Sequence, residues 1–221
     1  MKPIIILGTG GNCIDILDTI NEINSCSPAR TYNCVGFLDD DQQNWGKEIF
    51  GVKVLGPLES AYDFPNCYFV NGIGSPFNFW LKDKIIARTG IPVDKFETIV
   101  HPTASVSKMS KIGLGTVILQ HVTIASNVII GNHVIVLPNS VISHDSSIGD
   151  YTCITGGVCV SGGTKIGRSC YLGTNSSVLG NTTVGDNCLI GMGSVVLGDV
   201  ETNSAVVGSP AAFLRKVVDN Q

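Results

Sequence analysis

His144 and Asp145 are neighbours in the segment Val-Ile-Ser-His-Asp-Ser-Ser-Ile-Gly-Asp. A neutral imidazole can take up a proton near neutral pH, and a carboxylate beside it can orient the ring or stabilise its charged form. By itself such a dipeptide is equally at home on a solvated surface. Its chemical interest comes from Gly162, within Ser161-Gly162-Gly163, eighteen residues further on. Glycine there leaves space over an imidazole and an exposed N–H, the kind of donor an oxyanion needs. The other histidines point elsewhere. His101 precedes Pro102, and His121 and His133 each fall three places after an aliphatic residue, so all three are expected to face solvent. No two histidines are separated by a multiple of eighteen or by a close ligand spacing, so a zinc site built from three histidines is not expected, and no metal is assigned. Cys153 and Cys159 have no histidine after them that would activate a thiol nucleophile.

Eighteen matters because the chain counts in it. An aliphatic residue occurs at every sixth position from Val100 to Val196, through Ile118, Val136, Ile154, Leu172 and Ile190 among others, seventeen in succession. Neither a helical nor an alternating period holds such a register, so this is a repeat. Glycine follows the aliphatic at Gly113, Gly131, Gly149, Gly167 and Gly185, so three hexapeptides make one turn. Four places after each aliphatic comes a slim residue, among them Thr116, Val122, Ser140, Val158, Cys170 and Cys188, as a narrow interior requires. The pattern predicts a triangular parallel β-helix of about five coils, a column roughly 25 Å tall at the usual strand spacing. In it Gly162 stands one coil above His144, and Cys170 and Cys188 stack as interior fillers.

Ahead of the column, Ile4 to Leu7 read as a buried strand, Gly8-Thr9-Gly10-Gly11-Asn12 as a tight turn, and Ile14, Ile16, Leu17, Ile20 and Ile23 as one face of a helix. Free N–H groups at such a helix start can cradle a phosphate, although a βα turn can also be built this way without a ligand. The third glycine of the dinucleotide fingerprint would fall at Cys13, which disfavours a dinucleotide. A second strand, Cys34 to Leu38, ends in Asp39-Asp40-Asp41, which can accept hydrogen bonds from a ribose or base, or simply form a solvated turn. Cys67 to Ile73 reads as a further parallel strand closing at Gly74-Ser75, and Asn78 to Arg88 as a helix. Residues 1–97 therefore form a Rossmann-like α/β domain sized for a mononucleotide, and residues 98–221 the all-β column with a short tail. No inserted loop interrupts the column, so the amino-terminal domain must grip any acceptor.

Only 14% of residues are charged and the net charge is −4, which excludes a basic nucleic-acid surface. No apolar run is long enough for a membrane span, and no signal segment opens the chain, so a cytoplasmic protein without a membrane partner is expected. The eight cysteines form no CxxC pair and no secreted-type framework, which agrees with that compartment.

The Ile/Val-Gly hexapeptides, the His144-Asp145 pair, the terminal Val207-Gly208-Ser209-Pro210-Ala211 and the glycine-rich amino-terminal domain together resemble one family. It is the sialic-acid O-acetyltransferase and nucleotide-amino-sugar N-acetyltransferase family of β-helix acyltransferases. The resemblance implies a left-handed column and a homotrimer. It also implies acetyl-CoA as donor and direct transfer, with His144 as general base, Asp145 orienting it and Gly162 donating to the oxyanion. Thr174, Gly191 and Met192 would line the pantetheine groove, with Pro210 and Lys216 near the CoA nucleotide. Gly8, Gly10, Gly11, Asn12, Asp39, Asp40 and Gly74 would hold a nucleotide-linked amino sugar. The chain departs from the family at Cys153, where a second histidine is common, and at Asn12, where the glycine loop often continues with histidine. The expected activity is N-acetylation of a nucleotide-linked 4-amino-4,6-dideoxy sugar. The alternatives are O-acetylation of a sugar or sialic acid, transfer of a larger acyl group, and a non-enzymatic trimeric scaffold.

Overall fold

A computed structural model describes residues 1–218. The amino-terminal sheet has the order β3-β4-β2-β1-β5, with β1 Lys2–Leu7, β2 Tyr32–Leu38, β3 Glu48–Ile49, β4 Val52–Gly56 and β5 Tyr68–Asn71. All its pairings are parallel except β3 with β4. Strand β1 is apolar on both faces because both are covered. Ile4 and Ile6 meet Ile16 and Ile20 of helix α1, Gly11–Cys26, whereas Ile5 and Leu7 meet Leu58, Phe69, Ile86 and Phe96. The expected helix from Asn78 divides into a 3-10 turn, Phe79–Leu81, and helix α2, Lys82–Arg88. The expected third strand is shorter than Cys67 to Ile73, because Gly72-Ile73-Gly74 leaves the sheet to form a rim.

From Ile99 onward the chain is a parallel β-helix. Two-residue strands recur every six positions as far as Val195–Val196 and fall into three sheets that pair residue i with i+18; beyond them Ser204–Val207 pairs with Leu189–Ile190 two residues short of that register and with Ala212–Lys216 in an antiparallel hairpin. The aliphatic residues and the slim residues four places later fill one continuous core, from Ile118 and Val122 through Cys170 and Cys188 to Val206. Several interior hydroxyls are paired across coils, although Ser176 Oγ has no partner among the described residues. Thr116, Ser140 and Thr152 donate to the turn carbonyls of Gly131, Thr155 and Gly167 at 2.8, 2.8 and 2.9 Å. From Gly115 to Gly193 the third residue after each aliphatic takes a left-handed backbone, and most of these corners carry Asn127, Asn139, Asn175, Asn181 and Asn187 or glycines 115, 157, 163 and 193. Asparagine and glycine tolerate that conformation best.

The amino-terminal domain lies against one face of the column. Helix α1 packs between its own sheet and Ile99, Val117, Leu119 and Ile135, so the two parts share a core. This docking corrects the expectation that His101 and His133 face solvent: they are 1% and 2% exposed. His133 stacks on Tyr151 and meets Phe96 edge to face, with ring centroids 5.1 and 4.4 Å apart. The fully buried Lys82 donates to the His133 carbonyl at 2.7 Å and lies 3.6 Å from the Cys153 thiol. Burial, and the Lys82 ammonium, push the His133 imidazole down to about 4. Burial likewise lowers Lys82.

Both shifts have the same sign for stability. The unfolded chain takes up a proton on His133 near its ordinary value of 6.5, and the folded chain does so only near 4. The His133 contribution to stability is therefore full above about pH 6.5 and falls as the pH drops toward 4. His133→Asn, which suits a left-handed corner, should lower the thermal midpoint at pH 8 through the lost packing. It should also flatten the midpoint's decline between pH 6.5 and 4. A decline as steep as that of the parent chain would contradict this account.

Candidate active site

His144 lies on the edge between the strands Val141–Ile142 and Ser147–Ile148. Its Nδ1 is 2.7 Å from Asp145 Oδ2, and the two side chains are 67% and 57% exposed. Asp145 takes the left-handed corner conformation, which turns its carboxylate back toward the ring. Asn127, one coil below, donates to the other carboxylate oxygen at 2.7 Å. These two bonds, from Asn127 first and then His144, hold the Asp145 carboxyl below its usual range. An ionised Asp145 accepts from Nδ1–H, which leaves Nε2 as the basic nitrogen. Gly162 covers that nitrogen: a Cβ added there would lie 2.7 Å from Cε1 and 2.8 Å from Nε2. The Gly162 N–H donates to no protein group among the described residues.

A second cluster surrounds a cavity of about 320 Å³ at the carboxyl ends of β1 and β5. It brings together Gly8, Gly10, Gly11, Asn12, Asp39 and Gly74 of the expected set, with Thr9, Ser75 and Asn78. The first helical N–H groups of α1 open into it. Cβ atoms on Gly10 or Gly11 would meet nothing within 4 Å, so a ligand can reach that backbone. Gly8 has a φ of +96° and packs on Cys13, so it is glycine for two reasons. Asn12 Nδ2 donates to the Gly74 carbonyl at 3.2 Å, which ties the glycine turn to the opposite rim. Asp39 is held by Thr9 Oγ1 at 2.6 Å and receives the Asp41 N–H at 2.8 Å. Asp40 faces an adjoining cavity of about 250 Å³ instead, where Arg88 and the Leu58 N–H occupy its two oxygens at 3.0 and 3.1 Å.

The remaining expected residues lie elsewhere. Thr174, Gly191 and Met192 stack along a different edge of the column, where Gly193 donates to the Thr174 carbonyl at 2.8 Å and Met192 is exposed. Pro210 is exposed beside the final hairpin, and Lys216 Nζ is 3.4 Å from Ser204 Oγ. Cys153 is buried against Gly74 and Lys82 on the face that carries the amino-terminal domain. That face is the side of the triangle opposite the His144 edge. Within one chain, then, the histidine and the cavity point away from each other. Asn127 was not among the expected site residues, although it lies eighteen positions before Asp145, the spacing that singled out Gly162.

Residues 163–198 match the family model described as bacterial transferase hexapeptide (six repeats). The UDP-N-acetylbacillosamine N-acetyltransferase of Bacillus subtilis is 31% identical over 121 residues, covering 54% of this chain. The match takes in 52% of that relative, about half its length. Among solved structures, the acetyltransferase domain of PglB from Neisseria gonorrhoeae superposes with a TM-score of 0.83 at 24% identity, over 97% of this chain and 100% of that one. PerB from Caulobacter crescentus, solved with CoA and GDP-perosamine, gives 0.82 at 22% identity over 97% and 98%. At these identities the structural likeness establishes the fold: a Rossmann-like domain followed by a hexapeptide-repeat β-helix. No described helix is long and apolar enough to cross a membrane.

Gly162→Ala tests the cover over the imidazole. The added methyl should drive the His144 ring off Asp145, and a crystal structure of the variant would show it. A ring still bonded to Asp145 as in the parent chain would contradict the close approach described above.

Proposed function

We propose that this two-domain hexapeptide-repeat chain transfers the acetyl group of acetyl-CoA to the amine of a nucleotide-linked 4-amino-4,6-dideoxy sugar. The observation that carries the reading is His144, oriented by Asp145 and covered by Gly162, on a chain that also has a phosphate-sized cavity at a helix start. The relatives' names support the amine as acceptor and the nucleotide as handle: one acts on a UDP-linked bacillosamine, and another was solved with GDP-perosamine.

Asp145 keeps the proton on Nδ1, so Nε2 removes a proton from the sugar amine as its nitrogen attacks the thioester carbonyl. The carbonyl electrons move to oxygen, and the Gly162 N–H donates to the oxyanion. Collapse breaks the carbon–sulfur bond, and the imidazolium returns its proton to the departing thiolate. The products are the amide and CoA, with no acyl-enzyme. The α1 start and Gly10, Gly11 and Asn12 would hold the phosphates, and Asp39 the ribose or base. Asp40, already paired with Arg88, would shape the neighbouring wall.

Since the cavity and the His144 edge face apart, the acceptor held by one copy is delivered to the His144 of another. A homotrimer would satisfy this geometry, with the Thr174–Met192 edge of one copy facing the His144 edge of the next and CoA between them. Acceptor turnover with acetyl-CoA is the test, comparing UDP-, dTDP- and GDP-linked 4-amino-4,6-dideoxy sugars with free sialic acid. One of the nucleotide sugars should be acetylated, and His144→Ala should lower kcat at least roughly a hundredfold with the fold intact. Turnover of the free acid alone, or an unchanged rate in the variant, would sink the reading.

A further inference from the structure

One edge of the column, which follows the strands Lys111–Ile112, Ile129–Ile130 and Lys165–Ile166, carries side-chain caps. There the N–H two places after an aliphatic points up to the next coil, and an Asn or Asp eighteen residues later accepts it. Leu114 donates to Asn132 Oδ1 at 2.8 Å, Asn132 to Asp150 Oδ1 at 2.7 Å, and Arg168 to Asp186 Oδ1 at 2.9 Å. Gly162 occupies the same corner position on the His144 edge, and the residue eighteen further on is Gly180. The acceptor position of the Gly162 N–H is therefore the space that a side chain at 180 would fill.

The backbone does not require glycine at 180, because its φ lies outside the left-handed range. A Cβ there would stand 3.9 Å from the Gly162 nitrogen, close enough for a carboxamide oxygen to reach it, and 3.0 Å from the Gly162 carbonyl oxygen. Side chains at Asn132, Asp150 and Asp186 make such caps on the neighbouring edge, and at 180 the Gly162 carbonyl would have to give by a few tenths of an ångström. The small residue on top continues one coil higher at Gly198.

We infer that Gly180 is a positioning residue for the transfer: by offering no side-chain acceptor of the kind that caps corners on a neighbouring edge, it keeps the Gly162 N–H free and leaves its acceptor position to the thioester oxygen. The inference rests on the reaction proposed above. It adds a specificity for the reaction's geometry: the carbonyl oxygen must sit in the coil above His144, between Gly162 and Gly180.

Gly180→Asn should form the cap. Its kcat with acetyl-CoA and the accepted nucleotide sugar should fall roughly a hundredfold, the scale of one lost oxyanion donor. The thermal midpoint should stay level or rise, and the Gly162 amide should gain protection in hydrogen exchange. Gly180→Ala, which adds no acceptor, should leave that amide exchanging freely and cost less than about tenfold in kcat. A protected amide with kcat within threefold of the parent would overturn the inference. So would an amide that exchanges at the parent rate in Gly180→Asn, or equal losses in both variants. The outcome is separable from that of the proposed reaction: an inactive His144→Ala beside a fully active, capped Gly180→Asn would refute only the role of Gly180.

Discussion

The backbone rung that joins residue i to residue i+18 is the constraint on which everything else rests. Each hexapeptide contributes a two-residue strand too short to be stable alone, and only stacking on the coils above and below satisfies its N–H and carbonyl groups. Because the rung repeats without slip from Ile99 to Val196, side chains at equivalent positions stand directly over one another. Interior hydroxyls consequently find the turn carbonyls of the next coil. Asn127 comes to lie under Asp145, and Gly162 over His144. A single residue added or lost in one coil would shift every one of these pairs by a corner position.

Stacking also fixes what a single chain cannot do. The amino-terminal domain is joined to one face through α1, Phe96, Lys82 and His133, and the shared apolar core makes that attachment rigid. The His144 edge is the opposite corner of the triangle. A chain built this way holds its amino-terminal cavity and His144 on opposite sides of the column. The arrangement makes sense if neighbouring copies complete each other, and the exposed His144 leaves room for a neighbour to do so.

Most of this column could be read from residue types alone, because a narrow triangular interior tolerates only slim residues at fixed places and the aliphatic register never slips. The eighteen-residue spacing was enough to pair His144 with Gly162, and the same count relates Asn127 to Asp145 and Gly180 to Gly162 once the corner contacts are seen. What periodicity could not convey was docking. His133 stands at a left-handed corner and His101 directly after the strand Ile99–Val100, and both are buried where the amino-terminal domain docks. Asp40 is silent for the same reason: its partner Arg88 lies 48 residues away, on an element whose placement no local pattern encodes. The helix expected from Asn78 fails at its start because the Asn78 side chain accepts the Ser75 N–H and the first turn winds as 3-10.

The most direct test of the account is complementation between two inactive chains. His144→Ala keeps the cavity and loses the base. Gly11→Asp, at a helical position where a side chain meets nothing, keeps the base and sets a carboxylate where a phosphate would bind. Co-purified mixed trimers of the two should recover roughly a third of parental turnover, because one of the three cavity–base pairings around the ring then joins two intact halves. Mixed oligomers as inactive as either variant alone would show that each chain serves itself, and would contradict the placement of the histidine and the cavity on opposite sides of the column.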